Sequence, residues 1–330
     1  MSGPDPLAHP DEFETIARLL RPLTNGHPAA LDLLDDAAVL PARPGYDLVI
    51  SKDAMVAGVH FLDNEPLDIV ARRLLRTNLS DLAAKAAEPF GYFLAIAWPR
   101  DCGWPERQAF AAGLAEDGKT FGLSLLGGDT VSTPGPLTVS ATILGWVPAG
   151  RMVRRGGAKP GDRLLVSGTI GDGFLGLKAA RGELDDPGGY LATRYRLPEP
   201  RLQLREALLA HATAAADVSD GLLADGGHIA TASGCGVSVT PGSLPLSSAA
   251  QAWVAAQPNR IEGLLTLAAG GDDYEVVCAV RAADVAALTA MAAAQGVTLS
   301  DIGMFTKEPG LQGLFEGQSL ELGKTGFVHR

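Results

Sequence analysis

Cysteine is nearly absent: the 330 residues contain three, Cys102, Cys235 and Cys278, and none forms a C-x-x-C pair. These cysteines offer neither a disulfide framework nor a zinc site, and a reducing cytoplasm is the expected compartment. Long hydrophobic stretches are also missing. The longest apolar runs, Tyr92 to Trp98 and Thr138 to Val147, have strand length and fall short of the roughly 20 residues a spanning helix needs. Residues 1–10 lack the basic-then-apolar pattern of a signal peptide and read as a loose tail. Positive charge is in deficit. The 27 Lys and Arg against 38 Asp and Glu leave a net charge of -11, which argues against affinity for nucleic acid or anionic membrane and suits a protein that gathers cations. The usual nucleotide fingerprints do not occur: no G-x-x-x-x-G-K-[ST], no G-x-G-x-x-G opening a helix, no kinase H-R-D or D-F-G set. No repeat of fixed period is present, so a solenoid is excluded as well.

What the chain does have is apolar residues enough for a sizeable core. A hydrophobic content of 46% with 20% charged residues rules out wholesale disorder, and the length suits two domains of ordinary size. Periodicity predicts helices over 11–21, 67–87 and 104–120, with strands at 37–40, 46–51, 91–98, 123–126 and 137–147. The segment Gly150 to Gly161, rich in Arg, Gly and Pro, reads as the crossing between domains 1–149 and 150–330. Strands then alternate with helices again, including a long helix over 247–269 broken at Pro258 and a hairpin near 312–322. Such alternation predicts an α/β fold of α+β type.

Aspartate recurs where apolar runs stop. Asp35-Asp36 precedes one strand, and Ser51-Lys52-Asp53 closes another. Asp81 lies on a helix, Gly127-Gly128-Asp129 reads as a turn, and Asp217-Val218-Ser219-Asp220-Gly221 precedes a helix. Gly270-Gly271-Asp272-Asp273 opens the last long strand. Each alone has a plain reading as a helix cap or turn residue. Together they suggest hard oxygen ligands for magnesium, since converging carboxylates repel one another unless cations separate them. Paired glycines at 127–128 and Gly221 would let backbone N–H groups approach a phosphate. Arg155, beside Gly156-Gly157, is either a phosphate-binding guanidinium or a solvated surface charge. His60 has apolar neighbours and is either a hydrogen-bonded structural residue or a ligand contact.

In this order the motifs resemble the thiamine-monophosphate kinase family of the aminoimidazole-ribonucleotide-synthetase-like superfamily. The matching segments are Leu34 to Ala38, Ser51 to Asp53 with Ala57 to Phe61, Asn78 to Ala84, Gly127 to Thr130, Ser167 to Asp172, Asp217 to Leu222 and Gly270 to Glu275. The likeness runs over nearly the whole chain. It implies a two-domain fold whose N-terminal sheet forms a barrel with that of a second copy, and a C-terminal α/β domain. It also implies a magnesium-dependent kinase that moves the γ-phosphoryl group of ATP directly onto thiamine monophosphate.

Carried over by motif, Asp36, Ser51, Lys52, Asp53, Asp81, Asp129, Asp217 and Asp220 would hold several Mg²⁺ ions. Gly128, Asp129, Arg155 and Ser219 would contact ATP, with Arg155 stabilising phosphate charge and no residue acting as general base. His60, Asp272 and Phe327 would contact the substrate. Leu34, Lys52 and Asp272 depart from the family's glycine, threonine and glutamate, and Lys52 would place a cation beside Asp53. Three alternatives stay open: an aminoimidazole ribonucleotide synthetase-like enzyme, a selenophosphate synthetase-like enzyme and a non-catalytic nucleotide- or metal-binding relative. Against the second, no cysteine precedes Cys102.

Overall fold

A computed structural model of the chain describes residues 11–315, 318–320, 322, 325 and 326. These divide into two compact units, one comprising the described residues up to Leu82 together with Glu88–Gly150, the other Ala83–Ala87 with the described residues from Arg151 onward. The architecture is a two-domain mixed α/β fold.

The first unit begins with α1 (Glu12–Thr15), which passes into a π-turn at Ile16–Leu20 and a 3₁₀ turn at Arg21–Thr24. The single helix expected over 11–21 is therefore irregular. Four strands follow, β1 (Tyr46–Val56), β2 (Glu88–Pro99), β3 (Ser124–Thr133) and β4 (Thr138–Pro148), in the order β1-β4-β2-β3. Only β2 and β3 run parallel. The strand expected over 37–40 does not form; Val39 makes one main-chain bond to Ala29 and has no ladder partner. Two helices, α2 (Leu67–Ala84) and α3 (Trp104–Phe121), supply the apolar cover, with Leu74, Leu75, Leu79 and Leu82 fully buried. Buried Asp117 of α3 accepts two bonds from Arg76 (2.6 and 3.0 Å) and one from Arg72 (3.2 Å), which ties the helices together with charge-assisted bonds.

Strand length alters the site reading. Ser51-Lys52-Asp53 does not close β1, because the in-and-out alternation continues to buried Met55. Gly127-Gly128-Asp129 is not a turn either; it lies within β3, just after a register shift against Tyr92 and Phe93. The structural demand on Gly128 is close approach: a Cβ there would stand 1.8 Å from the Leu94 carbonyl oxygen.

Among the described residues the second unit carries a seven-stranded sheet and seven α-helices. In chain order these are β5 (Arg163–Ser167), α4 (Asp172–Ala180), α5 (Tyr190–Arg196), α6 (Arg205–His211), β6 (Ala212–Asp217), α7 (Leu222–Ser233) and β7 (Gly236–Val239). They continue as α8 (Ser248–Ala255), α9 (Arg260–Ala268), β8 (Val276–Val280), α10 (Val285–Ala294), β9 (Leu299–Thr306), β10 (Gly310–Phe315) and β11 (Gln318–Leu320). Strand order is β11-β10-β7-β9-β5-β8-β6, antiparallel except where β10 meets β7. Alternate residues of β5 and β8 feed two cores. Leu164, Val166, Val277 and Ala279 pack with α7 and α9, while Leu165, Val276, Cys278 and Val280 pack with α6 and α10. The long helix expected over 247–269 is broken around Pro258 as α8 and α9.

Glycine substitutions should separate backbone demand from side-chain packing. Gly128→Ala drives a Cβ into a carbonyl that cannot move without breaking the β2–β3 ladder, so a loss of about 3 kcal/mol or more is expected. Gly127→Ala meets only the Phe93 ring edge at 3.0 Å, which can rotate away, and should cost about 1 kcal/mol. Urea unfolding of both variants checks the ranking.

Candidate functional site

In the first unit, β1 is an edge strand, so the outward N–H of Asp53 has no ladder partner. Asn78 of α2 supplies one, accepting that N–H at 3.2 Å while donating its own amide to Leu74 O at 2.8 Å. One face of β1 thus looks onto α2. On that face Ser51 Oγ donates to Asp81 Oδ2 at 2.5 Å, and Asp53 lies close enough for the two carboxylates to oppose each other. Burial first, then the Asp81 charge, raises the Asp53 carboxyl to about 6.

Lys52 lies on the opposite sheet face. Its ammonium donates to Ser140 Oγ at 2.7 Å, and Ser140 donates to Asp53 O at 2.8 Å. The expectation of a cation beside the Asp53 carboxylate is corrected here: alternation along the strand turns neighbouring side chains to opposite faces. Asp129 shares the Lys52 face, because Ala54, Ser140, Ala95 and Asp129 form one row across the sheet. The two edges of that row are three strand spacings apart, about 14 Å. Asp129 and Asp36 instead line a common cavity of about 330 Å³, floored by Leu20, Ala30, Phe93 and Leu126, with Gly128 on its wall. The candidate aspartates of this unit therefore fall into two places, Asp53 with Asp81 and Asp36 with Asp129. Among the described residues, no three His, Cys, Asp or Glu side chains converge in an arrangement for a metal ion.

His60 is partly a structural residue. Its Nδ1 accepts the Val56 N–H at 3.1 Å, which places the remaining proton of the neutral ring on Nε2.

In the second unit, β6 ends at buried Asp217 and the chain turns through Val218 to Gly221 into α7. Gly221 has φ +117, and a Cβ there would press on Ala269 O at 2.8 Å, so only glycine fits. The loop Gly270 to Glu275 lies directly on this turn. Asp272 N donates to Ser219 O (2.9 Å), Tyr274 N to Val218 O (2.8 Å), and Val218 N to Glu275 O (2.8 Å). Asp272 and Tyr274 both sit at positive φ, +70 and +51, which brings the two loops together at the expense of backbone strain. Ser219, Asp220 and Asp272 are thus brought together, and Arg155 is exposed but near enough to act on Asp225. Phe327 lies outside the described residues.

Four carboxylates here were not singled out from sequence as site residues. Asp225, 2% exposed, accepts both Ser219 N and Asp220 N at 3.1 Å, and burial followed by the Asp220 charge lifts it to about 7. Asp273 accepts Gly171 N and Gly173 N (2.8 and 2.9 Å), with burial raising it to about 8. Asp172 accepts from Thr169, Tyr190 and Ser247, while Glu275 takes Ser167, Arg194 and a bidentate Arg201.

Family models of AIR synthase related protein match both parts of this chain, the N-terminal domain over residues 34–147 and the C-terminal domain over 159–315. The thiamine-monophosphate kinase of Caulobacter vibrioides is 63% identical over 322 residues, covering 98% of this chain and 92% of that protein. The chain belongs to the AIR synthase related family, in its thiamine-monophosphate kinase branch. A Salmonella typhimurium thiamine-monophosphate kinase is 37% identical over 96% of this chain and 98% of its own length. The crystal structure of the family member from Stenotrophomonas maltophilia K279a aligns with a TM-score of 0.81 at 34% identity, over 91% of this chain and 95% of that one. No helix among the described residues is long and apolar enough to cross a membrane.

The carboxylate pair of this family member makes a signed prediction for metal-free protein. Folded Asp53 keeps its proton up to about 6, whereas the unfolded chain releases it near 3.8, so this group's stabilising contribution is lost as pH rises between those values. Asp53→Asn should remove that slope. At pH 8 it should raise the unfolding free energy by about 1–2 kcal/mol, discounted for partial exposure. Urea denaturation of both proteins between pH 4 and pH 8 measures the difference.

Proposed function

We infer that this chain transfers the γ-phosphoryl group of ATP directly onto the phosphate of thiamine monophosphate, giving thiamine diphosphate and ADP. The reading is carried by kinship with thiamine-monophosphate kinases along almost the full chain, 63% identical in one case. It is supported by the confronted carboxylates of Asp53 and Asp81. The nucleophile is a phosphate oxygen that is already largely ionised near neutral pH, so no general base is required. Its attack forms one P–O bond as the bond to ADP breaks.

The donor set fits magnesium: hard carboxylate oxygens, a hydroxyl, and an Asp53 raised by burial and then by the facing Asp81 charge, both of which a cation would offset. Asp53, Asp81 and Ser51 would hold one ion, with Asp36, Asp129, Asp217 and Asp220 as further ligands. The Lys52 side chain is left out of that set by its orientation. When bound, magnesium supplies neutralisation of phosphate charge. Arg155 would bind phosphate bidentately, Gly128 and Ser219 would contact ATP, and His60 Nε2–H and Asp272 would contact the substrate, with Phe327 expected beside them. On this reading the first unit carries most of the metal ligands.

The same reading includes a homodimer and a cytoplasmic setting. Ile50 and Val131 expose 59% and 51% of their surface on the sheet face of Lys52 and Ala95, a face suited to a second copy. The three cysteines are free and buried, which suits a reducing compartment. Burial of Cys102 also disfavours a selenophosphate synthetase-like reaction, which needs an accessible thiol.

Purified protein with Mg-ATP should form thiamine diphosphate from thiamine monophosphate and nothing from free thiamine; product from free thiamine alone would overturn the reading. Activity should vanish with excess chelator and return with Mg²⁺. Arg155→Ala should raise KM for ATP about tenfold, equivalent to about 1.4 kcal/mol, with Tm unchanged because the side chain is exposed. Steady-state kinetics beside a thermal melt tests this.

A further inference from the structure

We propose that Asp225 is the positioning residue of the phosphate-facing turn Asp217 to Gly221, acting through the main chain of Ser219 and Asp220. The inference rests on the function proposed above for those two residues. Asp225 lies in the first turns of α7, where an acidic side chain would ordinarily face solvent and favour the helix N-terminus. Here it points inward and is 2% exposed. One oxygen, Oδ2, accepts two successive backbone N–H groups, from Ser219 and Asp220. The other, Oδ1, stands 3.6 Å from His228 Nδ1.

That geometry fixes more than the turn itself. With its N–H groups drawn inward, the Ser219 carbonyl points toward the Gly270 to Glu275 loop and receives Asp272 N at 2.9 Å. One carboxylate therefore sets the backbone under an ATP-facing residue and, one bond further on, under a substrate-facing one. Asp225 touches no substrate in this scheme. It acts by holding the groups that do.

Hydrogen exchange on the free, full-length protein, paired with kinetics, tests the assignment. In the wild type the Ser219 and Asp220 amides should be protected although their residues are half-exposed; fast exchange at both would overturn the proposal without any variant. Asp225→Ala should speed exchange at these two amides at least tenfold, with β6 and the rest of α7 unchanged, and should lower kcat/KM for ATP about 100-fold. Asp225→Asn keeps an acceptor oxygen and should recover both readouts to within about fivefold. If the Asn variant is as impaired as the Ala variant while its amides stay protected, the charge matters and the positioning role fails. Exchange is read without substrate, so a wrong acceptor in the proposed reaction would leave those results standing. Lost protection with normal turnover would sink the positioning role alone.

Discussion

A carboxylate taken out of water must be met by donors, and in the second unit that requirement binds the loops to one another. Asp172 gathers hydroxyls from residues 169, 190 and 247, and Asp273 takes the N–H groups around the start of α4. Glu275 closes the set with Ser167, Arg194 and Arg201. Through them the end of β5, the start of α4, α5 and the segment entering β8 are tied by polar bonds in addition to their apolar packing. Buried charge of this kind adds little net stability, because desolvation cancels much of the attraction. What it adds is a single arrangement, since any other leaves a charge unpaired. The raised values of Asp225 and Asp273 show that compensation is incomplete.

The first unit uses aspartate in the opposite way. Asp81 receives the Ser51 hydroxyl, but Asp53 is raised by its burial first and then by the Asp81 carboxylate it is set against. Nothing about the local fold requires two acids there: Asn78 already satisfies the edge N–H of Asp53 through its own side chain. Like charges kept together against their repulsion mark a place where stability has been surrendered for binding. The same residue type thus serves as a structural staple where donors surround it and, on the proposed function, as a cation receptor where they do not.

This distinction explains which parts were legible in the sequence. Long apolar helices such as α2 and α3, and strands such as β4, announced themselves by periodicity. Short α5 did not, because seven residues carry too little pattern. The glycine pair at 127–128 looked like a turn because glycine usually punctuates strands; its actual cause, contact with Leu94 O, depends on a partner strand that spacing cannot reveal. Lys52 and Asp53 are neighbours in sequence yet face apart, because successive side chains of a strand point to opposite faces. The motif aspartates were found as residues, but their division into two places in the first unit follows from strand order, β1 and β3 being opposite edges. Asp225 carried one signal, an acid four residues after Gly221, and that spacing equally describes a solvated helix face.

Charge also shapes what this chain can admit. At a net charge of -11, with paired carboxylates in the first unit, a bare triphosphate meets repulsion before it meets any donor. Few cations offset this: the guanidiniums of Arg194 and Arg201 are spent on Glu275, and the Lys52 ammonium is turned to the other sheet face. Arg155 alone among the cations assigned to the reaction stands exposed beside the second unit's turn. On the proposed function, an aspartate-rich surface is therefore a filter. It disfavours free nucleotide and favours the metal complex, whose charge is lower and whose ion the carboxylates are built to share. Replacing these aspartates by lysine or arginine would bind phosphate more tightly, but equally in ground and transition states, and would not raise kcat.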